Sequence, residues 1–163
     1  MIRPILRWPD KRLRTAADPV GTIDDDVRVL WDDMIATMEA MPGVGLAAPQ
    51  LGVMRRLAVV DASDTRGRAI RIADPEVIEL SPDRRPGTEA SPCLPGVSAE
   101  ITRPVWVEAS FLDANGFRVR QRFEGLWGIS LLHQIDHLNG RMYFDNLSRV
   151  KRDMLLRRAA KAG

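Results

Sequence analysis

His133-Gln134-Ile135-Asp136-His137 contains both histidines of this chain. The five residues lie in an apolar segment bounded by Gly125 and Gly140, which reads as a helix. On a helix, residues at i and i+4 share one face, a turn apart, so the two imidazoles can bind a single metal ion. The helical metal-site pattern H-E-x-x-H has Glu at its second letter, whereas this chain has Gln134. Leu131, Leu132 and Ile135 surround His133 and make the helix apolar nearly all round, the pattern of a buried helix.

With 163 residues, the chain suits one domain, 1–163, with a sizeable core. Its 45% apolar and 28% charged content is that of a soluble globular protein. No apolar run approaches the ~18 residues of a membrane span, and the first ten residues lack the apolar stretch of a signal peptide. These features predict no membrane partner. The single cysteine excludes an internal disulfide and fits a reducing, cytoplasmic setting. A net charge of +2 gives no general basic surface for DNA, although local basic patches remain open to partners.

Outward from the histidines, the Pro- and Arg-rich segment to about Thr22 is expected to wrap the domain. Asp24, Asp25 and Asp26 then offer an N-cap and suit the positive end of a helix dipole. Val27, Leu30, Trp31, Met34, Ile35, Met38 and Met41 recur at helical spacing, and Pro42-Gly43 stops the run. Strands are expected at Leu57–Asp61, Ala69–Ile72 and Glu76–Leu80, followed by a polar, turn-rich stretch from Ser81 to Thr88. Val105–Leu112 and Phe117–Phe123 alternate around an Asp113-Ala114-Asn115-Gly116 hairpin turn, with Arg118, Arg120 and Arg122 toward water. A last helix, about Ser148–Lys161, has apolar positions Val150, Met154, Leu155 and Ala159 and a face rich in Arg and Lys. Strands in the middle with helices near both ends give an α+β class.

Three segments stand out together: GVGLAAPQ at 43–50, EASPCLPG at 89–96 and HQIDH at 133–137. In order and spacing they resemble the three motifs of the peptide deformylases, GφGφAAxQ, EGCLS and HExDH. The resemblance extends to the opening ILRWPDKRLRTAADPV, to IADPEVIELS, to the DANG hairpin and to the tail HLNGRMYFDNLSRVKRDMLLRR. It implies antiparallel sheets packed around a central metal-site helix, with one helix toward each end. It also implies a metal-dependent hydrolase that removes the formyl group from the N-terminal formyl-methionine of nascent polypeptides. In that family iron(II) or zinc is held by two His and a Cys thiolate, and the Glu of HExDH moves the protons. The motif Gln and the backbone N–H after the Cys stabilise the oxyanion.

Carried over by position, His133 and His137 match the metal-binding histidines, and Asp136 a carboxylate that orients a ligand or forms an ion pair. Gln50 matches the oxyanion amide. Val44, Gly45, Leu46, Leu94, Leu126 and Ile129 match substrate-binding positions, with Leu126 and Ile129 in the methionine pocket. Glu89 and Arg103 match a structural ion pair. The basic C-terminal helix resembles an element that docks on the ribosome, an expected partner through phosphate contacts.

Three departures fall in this one site. Gln134 stands at the catalytic Glu position, and an amide cannot take a proton at neutral pH. The ungapped second motif puts Ser91 at the ligand cysteine and Pro92, which has no N–H, at the oxyanion donor. Cys93 lies two residues further on, ~6–7 Å along an extended chain. The third metal ligand is therefore Cys93 or Ser91, and a serine hydroxyl is a poor ligand beside a thiolate. Metal binding is expected to be weak or lost and deformylase activity strongly reduced or lost. The alternatives are an active deformylase with Cys93 as ligand, and a non-catalytic protein that binds the ribosome or N-terminal peptides.

Overall fold

The computed structural model describes residues 1–162. Helix α1 (Asp25–Ala40) begins where the aspartates predict. The Asp24 carboxylate accepts the Val27 N–H at 2.9 Å, satisfying one of the free donors of the first turn. Val27, Leu30, Trp31, Met34 and Met38 are buried along one stripe. The helix closes with the Gly43 N–H donating to the Met38 carbonyl at 2.8 Å.

Seven strands follow: β1 (Gly45–Ala47), β2 (Leu57–Val60), β3 (Ile70–Leu80), β4 (Arg84–Glu89), β5 (Ala99–Pro104), β6 (Trp106–Leu112) and β7 (Arg118–Glu124). Helices α2 (Leu126–Leu138) and α3 (Arg149–Ala162) complete the chain. One antiparallel sheet has the order β1-β2-β3-β6-β7, and β4 pairs with β5 in a second. Side chains alternate across the larger sheet. Leu57, Val59 and Ala73 pack with the α1 stripe, while Ala58, Val60, Ile72, Val107 and Phe123 pack with Leu131 of α2. β2 and the adjoining part of β3 are thus buried between the two helices. Gly128 lets α2 approach closely, because a Cβ there would lie 2.8 Å from the Phe123 carbonyl oxygen. The expected α+β architecture, antiparallel sheets around a central helix with one helix toward each end, is the one found.

Several local expectations are corrected. The two strands expected at Ala69–Ile72 and Glu76–Leu80 are one strand, β3, interrupted by a register shift between Ala73 and Glu76. Asp74 there adopts a left-handed φ of 47°. The stretch expected as turns, Ser81–Thr88, largely becomes β4, because β5 supplies its pairing partners from Arg84↔Pro104 to Glu89↔Ala99. In α3, Val150 and Met154 are exposed, and Leu155 and Ala159 are the buried positions. The hairpin turn forms as expected, with the Asp113 carboxylate accepting the Asn115 and Phe117 N–H groups.

The N-terminal segment crosses the loops that carry the second and first motifs. The Leu6 N–H donates to the Gln50 carbonyl and the Trp8 N–H to the Cys93 carbonyl, both at 2.8 Å. Among the described residues no helix is long and apolar enough to cross a membrane.

Candidate active site

α2 presents His133 and His137 on one face, with ring centroids 5.1 Å apart. Above them lies a cavity of about 410 Å³. Gly43, Val44 and Gly45 form one wall, Thr88 to Pro92 the other, and Leu126, Ile129, Ser130, His133 and Gln134 rise from the helix. Gln50 also reaches this space. The three sequence motifs therefore converge, although nearly 90 residues separate the first from the third.

A buried charge network holds the walls together. Arg103 of β5 grips both oxygens of Glu89 at 2.8 Å and reaches Asp136 of α2 at 3.0 Å. Burial pushes the Glu89 carboxyl up, but its bonds to Arg103 and His133 outweigh this and hold it below its ordinary value. Glu89 is thus an anion, and His133 Nδ1, 2.9 Å away, donates its proton to it. That leaves Nε2 as the ring nitrogen that could face a metal. The expected Glu89–Arg103 pair is present, and Asp136 takes the ion-pair role. Sequence reasoning missed the Glu89–His133 bond, since nothing in the spacing of a β4 carboxylate and an α2 imidazole announces it.

His137 is buried, and neither ring nitrogen has a hydrogen-bond partner. Burial, with His133 and Arg103 nearby, pushes its pKa well below 6.5 and keeps the ring neutral, the form that ligates a metal. Tyr143, the only tyrosine, stacks on His133 with centroids 5.8 Å apart, and burial raises its hydroxyl to about 12. Its position also escaped the sequence reading.

Ser91 and Pro92 line the cavity; Cys93 does not. Its thiol packs in a cluster with Leu13, Leu94, Phe144 and Leu155. The Leu94 N–H donates to the Ser91 carbonyl at 3.0 Å, closing a turn that carries residues 93 and 94 away from the cavity. The side chain of Leu94, a position expected to bind substrate, packs in this core cluster. The Leu46 side chain also faces the core. It follows Gly45 in β1, so the strand period turns it to the α1 side, where it is fully buried. Val44, Gly45, Leu126 and Ile129 stand at the cavity as expected. Gly45 is required by crowding, since a Cβ there would collide with the Gln134 amide and the Ser130 hydroxyl. Ser130 donates to the Val44 carbonyl at 2.8 Å and ties that wall to α2.

Gln50 is buried, its Oε1 accepting the Ala47 N–H at 2.9 Å and its Nε2 donating to Cys93 Sγ at 3.5 Å. Burial pushes the Cys93 thiol up, outweighing the bonds from Gln50 and Ser91, so it stays protonated. A disulfide reagent will therefore detect no fast-reacting thiol in the native chain and one per chain in denaturant. Native reaction at the rate of free cysteine would contradict the burial of Cys93.

The donors at the two histidines fall short of the set that the family resemblance implies for iron or zinc. The His133 Nε2 lone pair and the unpartnered His137 ring suit a metal. The third position offers the neutral Ser91 hydroxyl, which already accepts the Cys93 N–H at 3.2 Å. Among the described residues no three His, Cys, Asp or Glu side chains come together as ligands. The residues present do not fit a His₂Cys metal site.

A sequence profile described as polypeptide deformylase matches residues 2–153 of this chain. A peptide deformylase of Rhizorhabdus wittichii is 40% identical, the match covering 99% of this chain and 95% of that protein. A Rhizobium meliloti protein named peptide deformylase-like is 38% identical, over 98% of this chain and 92% of that one. The crystal structure of a Legionella pneumophila peptide deformylase superposes with a TM-score of 0.92 at 39% identity, covering 99% and 95% of the two chains.

Proposed function

The chain belongs to the polypeptide deformylase family, and from that premise we propose that it binds the N-terminus of formyl-methionine peptides but hydrolyses them far more slowly than the family reaction, or not at all. One observation carries the reading: Ser91, Pro92 and Gln134 line the cavity, while Cys93 packs behind it. The Gln134 amide can donate to or accept from a ligand, yet it cannot shuttle a proton. A positioned acid–base group contributes about 10²–10⁴ in rate, so its loss alone raises the barrier by about 3–5 kcal/mol. Pro92 supplies no N–H to a developing oxyanion, and such a donor is worth about 10²–10³ in rate. Iron(II) or zinc, when bound as in the family, supplies an activated water. Here the neutral Ser91 offers that ion a weaker third donor than a thiolate, which supports weak or lost binding.

The binding features are better preserved. Val44 and Gly45 keep their wall beside α2 through Ser130. Leu126 and Ile129 offer apolar surface for a methionine side chain. A deformylase rebuilt around Cys93 is disfavoured, because its thiol is buried in an apolar cluster and protonated.

The test is turnover and binding in one preparation. With excess zinc or iron(II), the purified chain will cleave formyl-Met-Ala-Ser at least about 10²-fold more slowly than an active family member run alongside. Calorimetry will still detect binding of the same peptide. Turnover equal to that of the comparison enzyme overturns the reading.

The exposed face of α3 supports a second, polyanionic partner such as the ribosome. Val150 and Met154 stand exposed beside Arg149, Lys151, Arg157, Arg158 and Lys161. Arg152 is already engaged with Asp145 at 3.3 Å. Salt-sensitive co-sedimentation with ribosomes, abolished by Arg157→Glu with Lys161→Glu, is the expected result. No co-sedimentation at low salt removes this partner.

A further inference from the structure

The turn between Ser91 and Leu94 has two faces. Ser91 and Pro92 line the candidate active-site cavity. On the other side a hollow of about 320 Å³ opens between three segments of chain: the N-terminal strap at Arg7–Pro9, the loop at Cys93–Pro95, and α3 at Leu156, Ala159 and Ala160. The hollow and the cavity share no lining residue.

Packing and backbone bonds fix these walls. The Trp8 N–H on the Cys93 carbonyl, at 2.8 Å, ties the strap to the loop. The Trp8 ring stands edge-on against Phe144, with centroids 5.1 Å apart. Leu155 and Ala159 anchor α3 in the same buried cluster as Cys93 and Leu94. A preformed, mostly apolar concavity with a single polar group is the form of a small-molecule site.

The one polar group here is Arg7. Trp8, Pro9, Leu94, Pro95 and Leu156 give the hollow apolar surface, and no carboxylate lines it. Among the described residues Arg7 forms no ion pair. Its guanidinium lies near the floor of the hollow: burial raises the Cys93 thiol, and the Arg7 charge opposes that rise. An unpaired cation beside apolar walls suits a ligand with one negative charge and an apolar body. A dianion would leave a charge uncompensated there. The planar guanidinium fork matches a carboxylate. The C-terminal end of α3 disfavours an anion with about half a charge, which the full charge of Arg7 outweighs, and Lys161 sits in that last turn.

We propose that this hollow is a second binding site, for a monocarboxylate with an apolar tail, the carboxylate on Arg7 and the tail between Trp8, Leu94 and Leu156. It stands apart from the peptide-binding reading, because no residue serves both sites.

Calorimetric titration of hexanoate into the full chain tests this, with 1-hexanol as the uncharged probe of equal length. Hexanoate will bind saturably, and at least about tenfold more tightly than hexanol. Arg7→Gln removes the charge at an exposed position and will bring hexanoate down to the affinity of hexanol. Ala160→Trp fills the hollow from an exposed helix position and will weaken hexanoate binding at least about tenfold. Both variants will melt close to the parent temperature. Absence of saturable hexanoate binding up to about 10 mM overturns the proposal. So does equal affinity of the parent for the two probes, or hexanoate binding by Arg7→Gln within about threefold of the parent. Undiminished binding by a folded Ala160→Trp places hexanoate elsewhere on the chain and overturns it as well.

Discussion

Ser91→Cys, Pro92→Leu and Gln134→Glu, combined in one chain, will raise formyl-Met-Ala-Ser hydrolysis by at least about 10⁴-fold in buffer supplied with zinc or iron(II). The magnitude joins about 10²–10⁴ for a proton-transfer group with about 10²–10³ for an oxyanion donor. The gain is expected only from the combination. Gln134→Glu alone returns a base while Ser91 stays in place of a cysteine, and groups that act as a unit are strongly non-additive. Ser91→Cys places a thiol on the residue that already lines the cavity together with His133. Pro92→Leu returns a backbone N–H at the same loop. Metal content of the dialysed protein will rise from well below one per chain toward one with Ser91→Cys. A triple variant that binds metal stoichiometrically yet stays below tenfold activation would show that other residues limit the reaction.

Arg103→Met will cost about 3–5 kcal/mol of stability in urea unfolding, the range for removing one partner of a buried charge pair. The side chains of Arg103 and Glu89 are 7% and 4% exposed. Methionine fills much of the arginine stem volume but leaves the Glu89 and Asp136 carboxylates without their cation. That is a large share of the about 5–15 kcal/mol typical of a folded domain. The same network sets the acid limb of stability. Glu89 has a folded pKa below its unfolded 4.5, so its contribution is present above 4.5 and is lost as pH falls through the folded value. His137 is also depressed, from 6.5. Below 6.5 the unfolded chain takes up a proton that the buried ring refuses, and this too favours unfolding. In the presence of a chelator, stability will therefore begin to fall below pH 6.5 and fall more steeply below pH 4.5. Glu89→Gln will flatten the lower limb. A stability constant between pH 7 and 5 would contradict the assignment of His137.

Much of this fold is legible in local patterns. The α1 stripe, its Asp24 cap and the Pro42-Gly43 stop are all present in the structure, because each depends on neighbours within a turn or two. The β6–β7 hairpin is legible for the same reason: its turn is held by one aspartate. β4 and β5 were not. Pro82, Pro86 and Gly87 are turn signals by local chemistry, and the pairing of the inward positions Glu89 and Arg103 was expected only through the family resemblance. They are buried because they neutralise each other across the strands, a fact that no single segment contains. Val150 and Met154 of α3 erred in the opposite direction, since apolar spacing does not say whether a neighbouring surface exists to cover it.

At His133–His137 the division is sharpest. The sequence by itself determined the family, the placement of two imidazoles on one helical face, and the chemistry that Gln134 and Pro92 lack, because these follow from residue identity and a helical period. It left open whether Ser91 or Cys93 faces the cavity beside the histidines. Only the tertiary structure decided that, since the register of an irregular loop is set by contacts from distant segments: the Trp8 N–H on the Cys93 carbonyl, the Gln50 amide on its sulfur, and an apolar cluster that favours a buried thiol.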